Sequence, residues 1–426
     1  MDWKTWCLEN LDPMKDYGKP EALEGIRVLD ISENSFPAMV TTSFLGEWGA
    51  EVIKVEPPGG EESREWSPRG LTVEGTGLPF WVEGRNKHFI TLDWKRPEGR
   101  ALLDGLISRV DVLVENLPPG AREANSLEYR ELARINPGLI QLSLVSWNEE
   151  GPMPPCDVCE QALSGVVNVT GETEGPFGVP TKAGNWLAWY AGGMWGAFSV
   201  MAALFYRGRR GEGQFIDLSP AEGLMRFVDY NITWYHMHGK KRERVGNLDK
   251  AVFPYTYIKT KDGYTFLAAY NEDAFRTLCH IIGRPHLAED PRFSSGSARV
   301  QLENERALHA ILEEWSTQYT SREIFQMVNA YIQKVQGPGA AVVVGPVSTT
   351  REVLHEENWW DRGAFRRFRT PEGEVTLQNS VPRMSLTPPR IKWTCKKPGA
   401  DNAHIYARFL GYGKERLREL RERGIV

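Results

Sequence analysis

Cys156-Asp-Val-Cys159 has the spacing of half a zinc site or of a redox dithiol. No second CxxC follows and the nearest histidines are far away in the chain, so two packed thiols are the plainer reading. The eight histidines form no HxxxH or HExxH pattern, the spacing that sets two imidazoles on one helical face toward a metal. Residues 54–64, KVEPPGGEESR, put two glycines where backbone N–H groups could cradle a phosphate. The Lys-Ser/Thr of a P-loop is missing, and a surface turn is an equal reading. Residues 206–214, YRGRRGEGQ, are basic and read as a solvated helix end before the strand FIDLS.

The decapeptide GNWLAWYAGG, residues 184–193, opens a stretch without charge until Arg207. No acid lies between Glu174 and Glu212, so the segment offers no carboxylate nucleophile. It exceeds the roughly 20 residues of a membrane-spanning helix. Four glycines (184, 192, 193, 196) and Asn185 dilute it, Ile, Leu, Val and Phe are sparse, and the chain has no second such segment. A buried helix is expected, its small residues suiting close packing. Trp186, Trp189 and Trp195 read as packing or interface residues, with a substrate-lining role as the alternative.

Such residues need a scaffold, and the composition bounds it. The 426 residues are 41% hydrophobic and 25% charged, ordinary for a globular protein with more than one core. A formal charge of −5 gives no sustained basic surface for nucleic acid or anionic lipid. Five scattered cysteines, an odd number, argue for reduced thiols. The N-terminal residues lack a basic region followed by an apolar run, so a cytoplasmic location is expected.

The first 150 residues alternate strand and helix. GIRVLDI (25–31), AEVIKVE (50–56), HFITLD (88–93), DVLVEN (111–116) and GLIQLSLV (138–145) are β-branched runs. Helix-length segments separate them at 38–48, from Pro97, and at 126–135. This pattern predicts a mostly parallel α/β sheet with right-handed crossovers. No GxGxxG follows the first strand, which disfavours a nicotinamide or flavin dinucleotide. A hairpin over 253–270, turning at Asp262-Gly263, and helices over 273–283 and 304–319 predict a small α+β domain. Strands at 340–347 and 374–380 and a charged terminal helix follow. The expected division is a large domain over 1–225, a small domain over 226–335, and a segment 336–426 returning to the large one.

The order of these pieces resembles the class III CoA-transferases, the family of formyl-CoA transferase, carnitine CoA-transferase and the α-methylacyl-CoA racemases. The resemblance is carried by LEGIRVLDIS, LGEWGAEVIKVEPPGG, GRNKHFITLDWKRPEGRALL, DVLVENLPPGA, INPGLIQLSL, CDVCEQALSGVVNVTG, ALFYRGRRGEGQFIDLS and GRPHLAEDPRF. It runs from about residue 23 to about 365. It implies a Rossmann-like large domain, a small second domain, two chains interlocked as linked rings, and acyl-CoA as substrate with no covalently bound cofactor.

Active members read approximately G-x-S-x-x-D-x-x-x-G, and the aspartate attacks the acyl-CoA thioester. With Gly184 and Gly193 on the outer glycines, Trp189 stands where that aspartate belongs. The resemblance therefore implies no catalytic residue at the usual position, with Asp157 and Glu160 as the fallback acids. Asp157 has a second reading as a cap of the helix that follows it. Leu92, Asp93, Lys95 and Asn116 match positions that contact CoA in relatives; Leu117 is a further candidate contact, and Arg122 lies close enough to Ala124 to substitute partly for the arginine common there. Ala124 and Pro154 replace basic residues and Cys156 replaces a Tyr or His, so CoA binding is expected to be weakened and racemase chemistry absent. Some members of the family are built of two different subunits, the succinyl-CoA:(R)-benzylsuccinate CoA-transferase of anaerobic toluene breakdown among them. The expected role is the non-catalytic subunit of such a heteromer, with a homologous partner carrying the aspartate; the alternatives are an active homodimer using Asp157 or Glu160, and a CoA-binding or scaffold protein.

Overall fold

The computed structural model describes residues 2–13, 15–146, 156–172, 178–249, 251–335 and 342–426. They divide into two compact units, one of residues 1–166, 183–236 and 357–426, the other of residues 167–182 and 237–356. The joins between these units lie at 236/237 and 356/357, and residues 167–182 belong to the smaller unit.

The larger unit is built on strands β1 (Arg27–Asp30), β2 (Glu51–Glu56), β3 (Lys87–Thr91), β4 (Val112–Glu115), β5 (Ile140–Leu144) and β6 (Gln214–Leu218). Their order is β3-β2-β1-β4-β5-β6 and every pairing is parallel. Near-continuous apolar runs make such strands because both sheet faces are covered. Leu29, Ile53, Ile90 and Leu113 point to one face, where the helix α2 (Pro97–Ile107) and the C-terminal helices Asn402–Leu410 and Lys414–Glu422 add Leu103, Ile405 and Leu420. Val28, Val52, Val112 and Leu142 point to the other, against α1 (Phe36–Glu47). Strand order reverses between β1 and β4. The crevice beyond their C-terminal ends is where open α/β sheets take ligands.

After β5 come α3 (Asp157–Leu163) and α4 (Leu187–Arg210), the uncharged stretch of the sequence. Its glycines have a packing reason: a Cβ on Gly193 would stand 2.5 Å from Val40, and one on Gly196 would stand 2.4 Å from Thr41 Oγ1. The backbones of α1 and α4 therefore meet closely, and Thr41 Oγ1 donates to the Gly193 carbonyl at 3.0 Å. By length and composition α4 could cross a membrane, but its sheet-facing half, including Ala197, Val200 and Ala203, is buried.

The C-terminal segment returns to β3. Asn402 Oδ1 accepts from the Thr91 backbone N–H at 2.9 Å, and Tyr406 donates to the Thr91 carbonyl at 2.8 Å.

The smaller unit has an antiparallel three-stranded sheet of Tyr255–Lys259, Tyr264–Ala268 and Val343–Pro346, with Tyr264–Ala268 at its centre. Helices Glu272–Ile281, Leu302–Ser316 and Ser321–Val335 cover one face through Phe275, Leu278, Leu308, Leu312 and Ile324.

Candidate functional site

Trp189 is the third residue of α4 and only 7% exposed. Its ring stacks on Trp66 at 5.9 Å and 18°, and meets Phe36 at 5.8 Å and Trp186 at 5.2 Å. Phe36 opens α1, just past the C-terminal end of β1, so the indoles gather where a parallel sheet presents its ligand loops. Aromatic packing occupies the expected position of the nucleophile.

Both fallback acids lie close by. Asp157 is the first residue of α3. Oδ1 accepts the backbone N–H of Trp189 at 3.1 Å and Oδ2 accepts from Gln161 at 2.6 Å. Gln161 Oε1 in turn accepts from the Ala183 N–H at 2.9 Å. Asp157 therefore holds the first turn of α4, 32 residues further along the chain.

Glu160 is fully buried, and Ser146 Oγ donates to its Oε1 at 2.5 Å. Burial, aided by the charge of Asp157, pushes its carboxyl up to about 7. The Trp189 indole N–H favours the carboxylate. Even so, Trp189 Nε1 and Glu160 Oε2 are both buried without a hydrogen bond of normal geometry. A carboxyl group is thus present beside the expected nucleophile position, but closed off from solvent.

The residues matching CoA contacts are divided by the fold. Asn116, after β4, accepts from the Glu33 backbone N–H at 3.0 Å and donates to the Glu33 carbonyl at 2.9 Å, tying the loops beyond β1 and β4 together at the switch point. Lys95 is exposed and reaches Glu33 Oε2 at 3.4 Å. These two share the crevice. Leu92 lies in the core, and Asp93 is held through its backbone N–H to the Ile425 carbonyl at 2.8 Å. Leu117 packs against the same core and donates its N–H to Glu115 at 2.6 Å. Arg122 is turned inward: it pairs with Glu115 at 3.3 Å, donates to Ser143 Oγ at 2.7 Å and covers the Phe215 ring. A guanidinium so buried is not a surface phosphate contact, and withdrawing it would leave Glu115, which burial already pushes up, without its cation. Ala124 is exposed, and Pro154 lies outside the described residues.

Residues 54–64 are not a plain surface turn. Gly59 and Gly60 take φ of +99° and +95° and fold the loop back. Glu61 then meets the buried Lys54 at 3.0 Å, and Arg64 pairs with Glu56 at 2.8 Å. Burial opposes the Lys54 charge, but Asp30, Glu61 and Glu56 together push its ammonium up to about 12. Cys156 and Cys159 are free thiols, and the Cys156 contact raises the Cys159 thiol. Among the described residues no His, Cys, Asp and Glu cluster could hold a metal.

Sequence reasoning missed Phe36, Trp66 and Glu33. The signal that could have found them was positional, since each follows the C-terminal end of β1 or β2.

Residues 23–402 match the profile of CoA-transferase family III. The chain belongs to this family. It is 32% identical over 423 residues to the succinyl-CoA--D-citramalate CoA-transferase of Chloroflexus aurantiacus, covering 97% of this chain and all of that one. It is 30% identical to each subunit of the succinyl-CoA--L-malate CoA-transferase of the same organism. Those matches cover 97% of this chain and 90% of the alpha subunit, and 95% of this chain and 98% of the beta subunit. A CAIB/BAIF family protein from Brucella suis superposes with a TM-score of 0.80 at 30% identity, over 92% of this chain and all of that one. CoA-transferases of this family move CoA between an acyl-CoA and an acid, and some are assembled from alpha and beta subunits.

Proposed function

We propose that this chain is the non-catalytic subunit of a heteromeric CoA-transferase whose homologous partner carries the nucleophilic aspartate. One observation carries the reading: Trp189 takes the nucleophile position and is packed among Phe36, Trp66 and Trp186, while Asp157 holds a helix end and Glu160 is sealed beneath. A nucleophile must reach the thioester carbon, and neither acid is placed to do so.

In the reaction, the partner's aspartate attacks the acyl-CoA carbonyl and expels CoA thiolate, leaving a mixed anhydride. The thiolate returns to the aspartyl carbonyl and releases the donor acid. The acceptor carboxylate then attacks the aspartyl-CoA thioester and expels CoA thiolate, giving a second mixed anhydride, and the thiolate attacks the acceptor's acyl carbonyl, releasing the acceptor acyl-CoA and the free aspartate carboxylate. This chain's part is to complete the fold around its partner, in an interlocked dimer, with Lys95 and Asn116 keeping a weakened CoA contact. Support for a partner comes from exposed apolar residues of the larger unit: Met194, Phe198, Phe205, Phe227, Ile232 and Tyr235 are each more than half exposed. So many exposed large apolar residues mark an association surface. The substrates we assign are succinyl-CoA and (R)-benzylsuccinate, and the site of action is the cytoplasm.

The test is to assay the chain alone and with its genomic-neighbour homologue for CoA transfer from succinyl-CoA to (R)-benzylsuccinate and to citramalate or malate. Activity only in the mixture supports the reading, and activity of the chain alone refutes it. One observation favours a second reading: a Glu160 carboxyl near neutrality beside Trp189 could act as a displaced nucleophile if Trp189 moved aside.

A further inference from the structure

The smaller unit contains a cavity of about 420 Å³ that the transferase reaction leaves without a role. One wall is the helix Leu302–Ser316, which presents Glu305, His309 and Glu313 at successive i, i+4 steps. Tyr257 and Tyr264, from the same face of the hairpin, also line the cavity. Tyr257 lies edge-on to Phe266 at 5.5 Å, so the hairpin's lining is an aromatic surface.

Glu305 makes this more than an acidic patch. It is 6% exposed, and its Oε1 is buried with no hydrogen-bond partner. A buried acceptor left unpaired costs about 1–3 kcal/mol, so such a group normally has a partner. Burial and the charge of Asp249 raise the Glu305 carboxyl and Arg306 opposes them, the balance expected of an acid short of cations. Glu172 adds a third carboxylate to the walls, so among the described lining residues three carboxylates face one arginine.

The ligand's chemistry follows. Glu305 and Glu313 are eight residues apart on one helix, about 12 Å along its axis, too far for one metal ion. An anion would meet three carboxylates. We propose that this cavity binds a small organic cation bearing N–H donors, an alkylammonium or guanidinium group, anchored on Glu305 with its apolar body against Tyr257 and Tyr264. The ammonium supplies the donor that Oε1 lacks, and the tyrosine faces attract its charge.

Calorimetric titration of the full chain, alone or assembled with its partner, tests this with three probes: n-butylammonium, n-butanol and tetramethylammonium. The first should bind at least about tenfold more tightly than butanol, which lacks the charge, or tetramethylammonium, which lacks the N–H. Equal binding of either control, or no binding of butylammonium, overturns the proposal. Glu305→Gln keeps the size and should weaken butylammonium about tenfold with an unchanged melting curve. Unchanged affinity in that variant also overturns it. If that variant melts early, Tyr264→Leu provides the reading: severalfold weaker binding is expected, and no change refutes the aromatic wall.

Discussion

Asp157 accepts the backbone N–H of Trp189 at 3.1 Å, so one of the two acids beside the expected nucleophile position holds up the very helix that lacks the nucleophile. This fixes the start of α4 and commits the Asp157 carboxylate to structure. Asp157→Ala should lower stability by about 1–3 kcal/mol, because it strips a buried N–H and Gln161 of their acceptor. Asp157→Asn should lose less. Urea unfolding of both variants gives the comparison, and an Ala variant as stable as the parent would remove the capping role.

Trp189→Ala should cost about 3–5 kcal/mol, since it empties a buried aromatic cluster. In the assembled complex its melting temperature should fall more than its turnover number. If turnover vanishes while melting holds, the indole takes part in chemistry. Trp189→Asp should not create an active chain, because a carboxylate there would stand beside Glu160 without the surrounding geometry that a nucleophile needs.

The pH dependence of stability should carry the mark of Glu160, which titrates near 7 in the fold against an ordinary value of 4.5. An acid raised by folding binds its proton more tightly in the native state. Its contribution is complete below pH 4.5 and is lost as pH rises through 7, so the unfolding free energy should fall across that window. Glu56, also pushed up to about 7 by burial, adds to the same fall. Glu160→Gln should flatten the slope and exceed the parent by about 2–3 kcal/mol at alkaline pH. Denaturation series at several pH values would show it, and an unaltered slope would place the Glu160 titration outside this range.

Lys54→Met should destabilise by about 3–5 kcal/mol, because Asp30 and Glu61 would remain buried without their shared cation. A neutral effect in thermal unfolding would mean that water reaches the pair.

Much of the larger unit was legible because its signals are local. β1 to β5 are short β-branched runs, and Pro97 opens α2 where a proline at the first helical turn should. The glycines of α4 pointed to close packing, and Val40 and Thr41 are what they meet. What stayed hidden depends on residues far apart in sequence. Nothing local to Asp157 reveals that it accepts the N–H of Trp189, 32 residues on. Arg122 reads as a ligand contact because its partners Glu115 and Ser143 come from neighbouring parallel strands. The loop 54–64 reads as a turn because Glu61 pairs with Lys54 only once the positive-φ glycines reverse the chain.

The central claim is that this chain holds no competent nucleophile while its partner does. Borohydride trapping of the complex during turnover, followed by peptide mass spectrometry, tests it most directly, because the reagent reduces an enzyme-bound acyl thioester to an alcohol. The account predicts the reduced residue on the partner's aspartate alone, with every acid of this chain intact. A reduced Glu160 or Asp157 in this chain would contradict it.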